Sequence, residues 1–159
     1  MISMTLATHS PRTVGSVLAI IHEDWIKQVS SFLAPAMEAH ADLWSRWGAA
    51  RFLGDQFGDR FRLECAFADA LDGIISPNAA ARLAATRDDL ERTSEDLMAA
   101  GRRRDTPTLT AILARRFIEQ VARWCVELEL ATAQLAPADL SVAARRLLAR
   151  LRVADALGR

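Results

Sequence analysis

Tyrosine is absent from this 159-residue chain, lysine occurs once (Lys27), and there are three histidines and two cysteines. Each scarcity excludes something. Cys65 and Cys125, with no CxxC spacing and no third thiol, indicate neither a zinc finger nor a disulfide framework. Both sit in apolar helical stretches, where cysteine usually serves as a small hydrophobe, and a reducing cytoplasm is the expected compartment. Three histidines are too few for a haemerythrin-like cluster, and Glu38-Ala39-His40 lacks the Glu-x-x-His spacing of di-iron bundles. His22-Glu23-Asp24 is contiguous, so its members fan around a helix, and no metal or cofactor is expected.

Excess charge of either sign is missing too: net charge is zero, which gives no electrostatic case for nucleic acid. No run approaches the ~18 apolar residues of a membrane span. The opening MISMTLATHSPRT lacks a basic segment followed by an apolar one, so no signal peptide is expected. G-x-S-x-G, Walker A and G-x-G-x-x-G patterns do not occur, and neither cysteine carries a signature that ties it to a histidine. A non-enzymatic protein is the expectation.

What is present is helix-forming residue. Alanine, leucine and arginine dominate, half the chain is apolar and a quarter charged, as in globular proteins. After a loose arm at 1–10, residues 11–157 read as one all-α domain, an up-down bundle of four to five helices. Ser10-Pro11, Ser76-Pro77 and Thr106-Pro107 are cap-plus-proline helix starts, and Gly101 reads as a C-cap. Ala34-Pro35 and Ala136-Pro137 are further breaks; 11–75 is either one kinked rod or two packed helices.

The centre of the bundle is expected to be a long aromatic helix over 42–75, with Trp44, Trp47, Phe52, Phe57, Phe61 and Phe67. Gly54 and Gly58, four apart, favour close approach of a neighbouring helix over a break. Residues 107–135 bring Leu109, Ile112, Leu113, Phe117, Val121, Trp124, Leu128 and Leu135 to one broad face.

Glu64 is the most unusual residue, a carboxylate between Phe61 and Phe67 on the aromatic side. Such a group must be paired or lose its charge. Either it pairs with an arginine of the 107–135 helix (Arg115, Arg116 or Arg123), or it serves a pocket lined by Trp47, Phe57, Phe61 and Trp124. Arg102, Arg103 and Arg104 complement a helix C-terminus or, with the next helix start, form an anion site. Leu83, Leu90 and Leu97, seven apart on an otherwise polar helix, and Leu147 and Leu151 near the C-terminus, are candidate partner surfaces.

The order LW-S-RW, aromatic helix, GRRR and RRF-x-x-x-V-x-x-W resembles, over roughly Leu43 to Leu130, the globin-like N-terminal input domains of stressosome and sensor-kinase proteins. Those domains have no invariant chemical motif, and the resemblance implies only a helical input module. The leading functional expectation is a regulatory or accessory protein that binds another chain, including a copy of itself as a homodimer. The alternative is a small-molecule sensor or carrier with an apolar pocket between the 42–75 and 107–135 helices.

Overall fold

A computed structural model describes residues 12–38, 42–102 and 107–157. All regular structure among them is helical, in the order α1 (Val14–Leu33), α2 (Leu43–Phe52), α3 (Gly58–Asp69), α4 (Pro77–Arg102), α5 (Pro107–Ala131) and α6 (Val142–Leu157). A π-turn, Leu53–Phe57, joins α2 and α3 into one rod, so the described residues form five helical rods.

Local chemistry sets the ends. Thr13 caps α1, its hydroxyl accepting from the Ser16 N–H at 3.1 Å; Ser10 and the arm lie outside the described residues. After Leu33 the chain turns through a 3-10 segment, Ala34–Met37, and Glu38 is extended. The break at Pro35 is therefore a corner. Phe32 stacks on Phe52, Trp25 stacks on Phe57 and His22 meets Glu64, so numbers fall along one helix as they rise along the other. The two are packed antiparallel helices rather than one kinked rod.

Gly73 (φ 79°) takes the left-handed conformation that ends the rod, and Ser76 caps α4 through the Ala79 N–H at 3.1 Å. Past Pro137 the sequence hides a second cap: Ser141 accepts from the Ala144 N–H at 3.1 Å and starts α6.

Three expectations are corrected. Gly54 would admit a Cβ with nothing within 4 Å, and the nearest atom to one on Gly58 is its own rod's Leu53 carbonyl. Neither glycine seats a neighbour; Gly54 lies within the π-turn and Gly58 follows it, its N–H reaching back to the Leu53 carbonyl. Gly101 is not a C-cap, since α4 continues through it to Arg102. It is a close-approach site, where a Cβ would lie 2.7 Å from the Arg46 carbonyl oxygen of α2. Finally, Leu83, Leu90 and Leu97 are buried, as are Thr86 and Thr93, so α4 presents this stripe to the core and not to a partner. Its narrowness comes from short threonine side chains, which pack at their positions as small apolar residues would. The Thr86 hydroxyl is satisfied by the Arg82 carbonyl.

In α6, Leu151 is buried and Leu147 partly so, which seats that stripe inward as well. In α5, Leu113, Phe117, Val121, Trp124 and Leu128 are buried while Leu109 and Ile112 are about half exposed. The broad face expected there is two faces.

Candidate functional site: a histidine between two buried-side carboxylates

The site follows from how α1, α3 and α5 meet. The first N–H groups of α1 donate to carbonyls of the turn just past the end of α5, Val14 to Leu135 at 2.8 Å and Gly15 to Thr132 at 3.1 Å. Opposite helix-dipole ends are thereby matched. Gly15 is required at this join, because a Cβ would lie 2.6 Å from the Glu129 carbonyl oxygen and 2.9 Å from the Ala133 Cα. With α1 held this close and antiparallel to α5, His22 reaches two helices at once.

Its Nε2–H donates to Glu64 Oε1 of α3 at 2.8 Å, and its Nδ1–H donates to Glu129 Oε2 of α5 at 2.7 Å. With an acceptor on each ring nitrogen the ring is held as imidazolium. Glu64 Oε1 also accepts the Trp124 indole N–H at 3.0 Å, and Glu64 Oε2 lies 3.5 Å from an Arg60 guanidinium nitrogen. Arg60 rests over the Trp25 ring, 4.9 Å from its centroid. The Cys125 thiol sulfur lies within 4.8 Å of a His22 ring nitrogen.

His22 and Glu64 are 1% and 0% exposed, so their charges are fully desolvated, while Glu129 is 25% exposed. Burial is the largest influence on His22 and disfavours its charge, but the Glu64 carboxylate and hydrogen bonds with Cys125, Glu129 and Glu64 overturn it and raise the pKa. Burial likewise pushes Glu64 upward, and the charges of His22 and Arg60, with hydrogen bonds from His22 and Trp124, bring it below its ordinary value. Burial raises the Cys125 thiol, and drives Cys65 to about 12, so neither is a ready nucleophile.

Around this cluster the aromatics pack on one another. Phe57 stacks on Phe61 and meets Phe117 edge-on at 4.7 Å, and Phe61 meets Trp124 edge-on at 5.3 Å. A cleft of about 600 Å³ opens between the end of α3 and α4, with Trp124 of the cluster reaching it from α5.

The sequence placed Glu64, Phe57, Phe61 and Trp124 together, and the structure brings them together. Trp47 does not join them: it is 44% exposed, beneath the Arg51 guanidinium. An i→i+5 turn adds a residue and rotates the following face by about 100°. A constant period therefore fails across Leu53–Phe57. Arg115, Arg116 and Arg123 are exposed on the outside of α5 and do not pair with Glu64. The partners are His22, Arg60 and Trp124.

His22, Arg60, Cys125 and Glu129 were missed. The signal for His22 was present, since it continues the buried series Leu18, Trp25, Val29 at steps of three and four. Arg60 stands one turn before Glu64. Arg103 and Arg104 lie outside the described residues, and of Arg102 only the backbone is described.

No known protein family matches this chain. Comparison with curated proteins and with solved structures likewise returns no match. The resemblance of residues 43–130 to sensor input domains gains no support from these comparisons. No described helix is long and apolar enough to cross a membrane.

Proposed function

We propose that this protein acts without catalysis, by docking the outer face of α5 on a second copy of itself. One observation carries the reading: Leu109, Ile112, Arg116, Glu119, Arg123, Val126 and Leu130 are all exposed and follow one another at alternating steps of three and four. That is the seam spacing of a coiled coil. Apolar residues occupy both ends, with Leu130 66% and Val126 53% exposed, and charges occupy the middle. Arg116, Glu119 and Arg123 have no ion-pair partner among the described residues, although their spacing would allow one within the helix.

The charge order selects the partner and its direction. In a parallel pair each of the three charges would face its own copy, which is repulsive. In an antiparallel pair Glu119 of each copy meets Arg123 of the other, Ile112 meets Leu130, and the Arg116 stem lies over Val126. Two symmetric ion pairs then sit between two apolar clusters, as an isologous interface requires. Light scattering at tens of micromolar should give twice the 17.5 kDa chain mass. Leu130→Asp, at a site 66% exposed, should return the monomer mass with unchanged helicity. A wild-type monomer across that range would refute the reading.

A second reading rests on the cleft beside α4. Its walls carry Asp69, Asp72, Asp88 and Glu91 against Arg87, with Trp124 at its base, and its volume of about 600 Å³ suits a small ligand. That chemistry favours a small organic cation over the apolar ligand expected from the sequence. Native mass spectrometry of the purified protein checks it: a bound organic cation supports it, and a bare chain mass counts against it.

A further inference from the structure

We propose that His22, Cys125 and Glu129 form a binding site for a divalent transition metal, Zn²⁺ being the ion they suit. One ligand atom from each of these residues lies within 4.8 Å of the other two. Imidazole, thiolate and carboxylate are three ligand types zinc accepts, and in tetrahedral zinc they stand about 3.2–3.7 Å apart. Side-chain movements of about 1 Å therefore bring them to coordination distance.

The backbone supplies the framework. Cys125 and Glu129 are one turn apart on α5 and face α1, whose close seating through Gly15 delivers His22 from the opposite side. The surroundings are those of a metal ligand as well. Zinc-binding histidines generally donate their second ring N–H to a carboxylate, which fixes the tautomer and the ring plane. Glu64 stands in that place on Nε2, held in turn by Trp124 and Arg60, so that Nδ1 is the nitrogen turned toward Glu129.

An ion pair alone does not account for this composition. Buried charge triads are commonly no more stable than the apolar residues that could replace them. The thiol beside this pair is, in addition, a strong zinc ligand. Loading is balanced in charge: the metal takes the place of the Nδ1 proton of His22 and the thiol proton of Cys125, and both protons leave to solvent. Glu129 enters already as carboxylate and, being 25% exposed, lies on the route of entry. The fourth position is filled by its second oxygen or by water. Bound metal ties α1 to α5 where the two termini of those helices already meet.

The test uses the full chain, stripped with chelator and loaded with Co²⁺ for spectra and Zn²⁺ for competition against a chromophoric chelator. Wild type should bind one equivalent, show a thiolate-to-cobalt charge-transfer band, and melt at higher temperature with Zn²⁺ than without. Cys125→Ser should lose the band, and Cys65→Ser should keep it. Glu129→Gln, at a partly exposed position that leaves the core packed, should weaken Zn²⁺ by at least about tenfold. Failure of wild type to bind more Zn²⁺ than Cys125→Ser, or a band that persists without Cys125, overturns the site.

Discussion

Removing the Glu64 carboxylate should be among the most damaging single changes available to this protein. Glu64 is 0% exposed and holds three groups: His22 (1% exposed), the Trp124 indole N–H, and Arg60 (11% exposed). Glu64→Ala leaves the imidazolium with Glu129 alone, orphans the indole donor and strips the guanidinium of its carboxylate. Leaving one buried donor unsatisfied costs about 1–3 kcal/mol, and breaking a buried charge pair costs about 3–5 kcal/mol. These overlap, so about 3–5 kcal/mol is the expected total for Glu64→Ala. Glu64→Gln keeps a carbonyl to accept from His22 and Trp124 and should lose about 1–3 kcal/mol. With a urea m-value of about 2 kcal/mol/M, the alanine variant's midpoint falls by about 2 M. Glu64→Gln combined with His22→Gln should be less harmful than the two losses added, because the second change removes a charge the first left bare. An alanine variant within about 1 kcal/mol of wild type, or above it, would refute a charged and paired Glu64.

Three further outcomes follow from the same structure. In chelator-treated protein, His22 has a folded pKa raised above its unfolded 6.5, so its contribution is complete below that value and is lost as pH rises toward the folded pKa. Glu64 is lowered from 4.5, so its contribution is complete above that value and is lost as pH falls. Stability should peak between about pH 4.5 and 6.5 and decline above it by up to about 1.4 kcal/mol per pH unit; urea midpoints in which His22→Gln shows the same alkaline slope as wild type would contradict this. Gly15→Ala, which forces a Cβ to 2.6 Å from a backbone oxygen, should destabilise by about 1–3 kcal/mol in thermal melts. Gly54→Ala, with open space around it in a helical rod, should instead be neutral or gain up to about 1 kcal/mol, and equal losses at both glycines would contradict the packing described.

The fold was legible wherever a helix kept one phase from end to end. The stripe of α1, the Ser76-Pro77 start of α4 and the buried series of α5 could each be read from spacing and caps. Glu64 could be read as buried because both its flanks are aromatic. Its partner could not, since His22 is 42 residues away and only helix packing joins them. A π-turn leaves no mark in composition beyond two glycines, and without it Trp47 would share a face with Phe57. Leu83, Leu90 and Leu97 look like an outward seam because threonine counts as polar in a pattern yet packs like a small apolar residue. Conversely, the exposed series on α5 is masked in sequence by Leu109 and Ile112, which extend the buried series there while facing solvent in the fold.

Reciprocal charge exchange on the outer face of α5 tests the self-association account most directly. Glu119 and Arg123 are both exposed, so reversing either leaves the core untouched. By sedimentation equilibrium, Glu119→Arg alone and Arg123→Glu alone should each shift the protein toward monomer, because each sets like charges against one another across the two-fold axis. Carried together on one chain, they restore the antiparallel pairing with the signs reversed, and dimerisation should recover to near the wild-type strength. If the double variant stays as weak as the single ones, or the single variants dimerise like wild type, the α5 face is not where two copies meet.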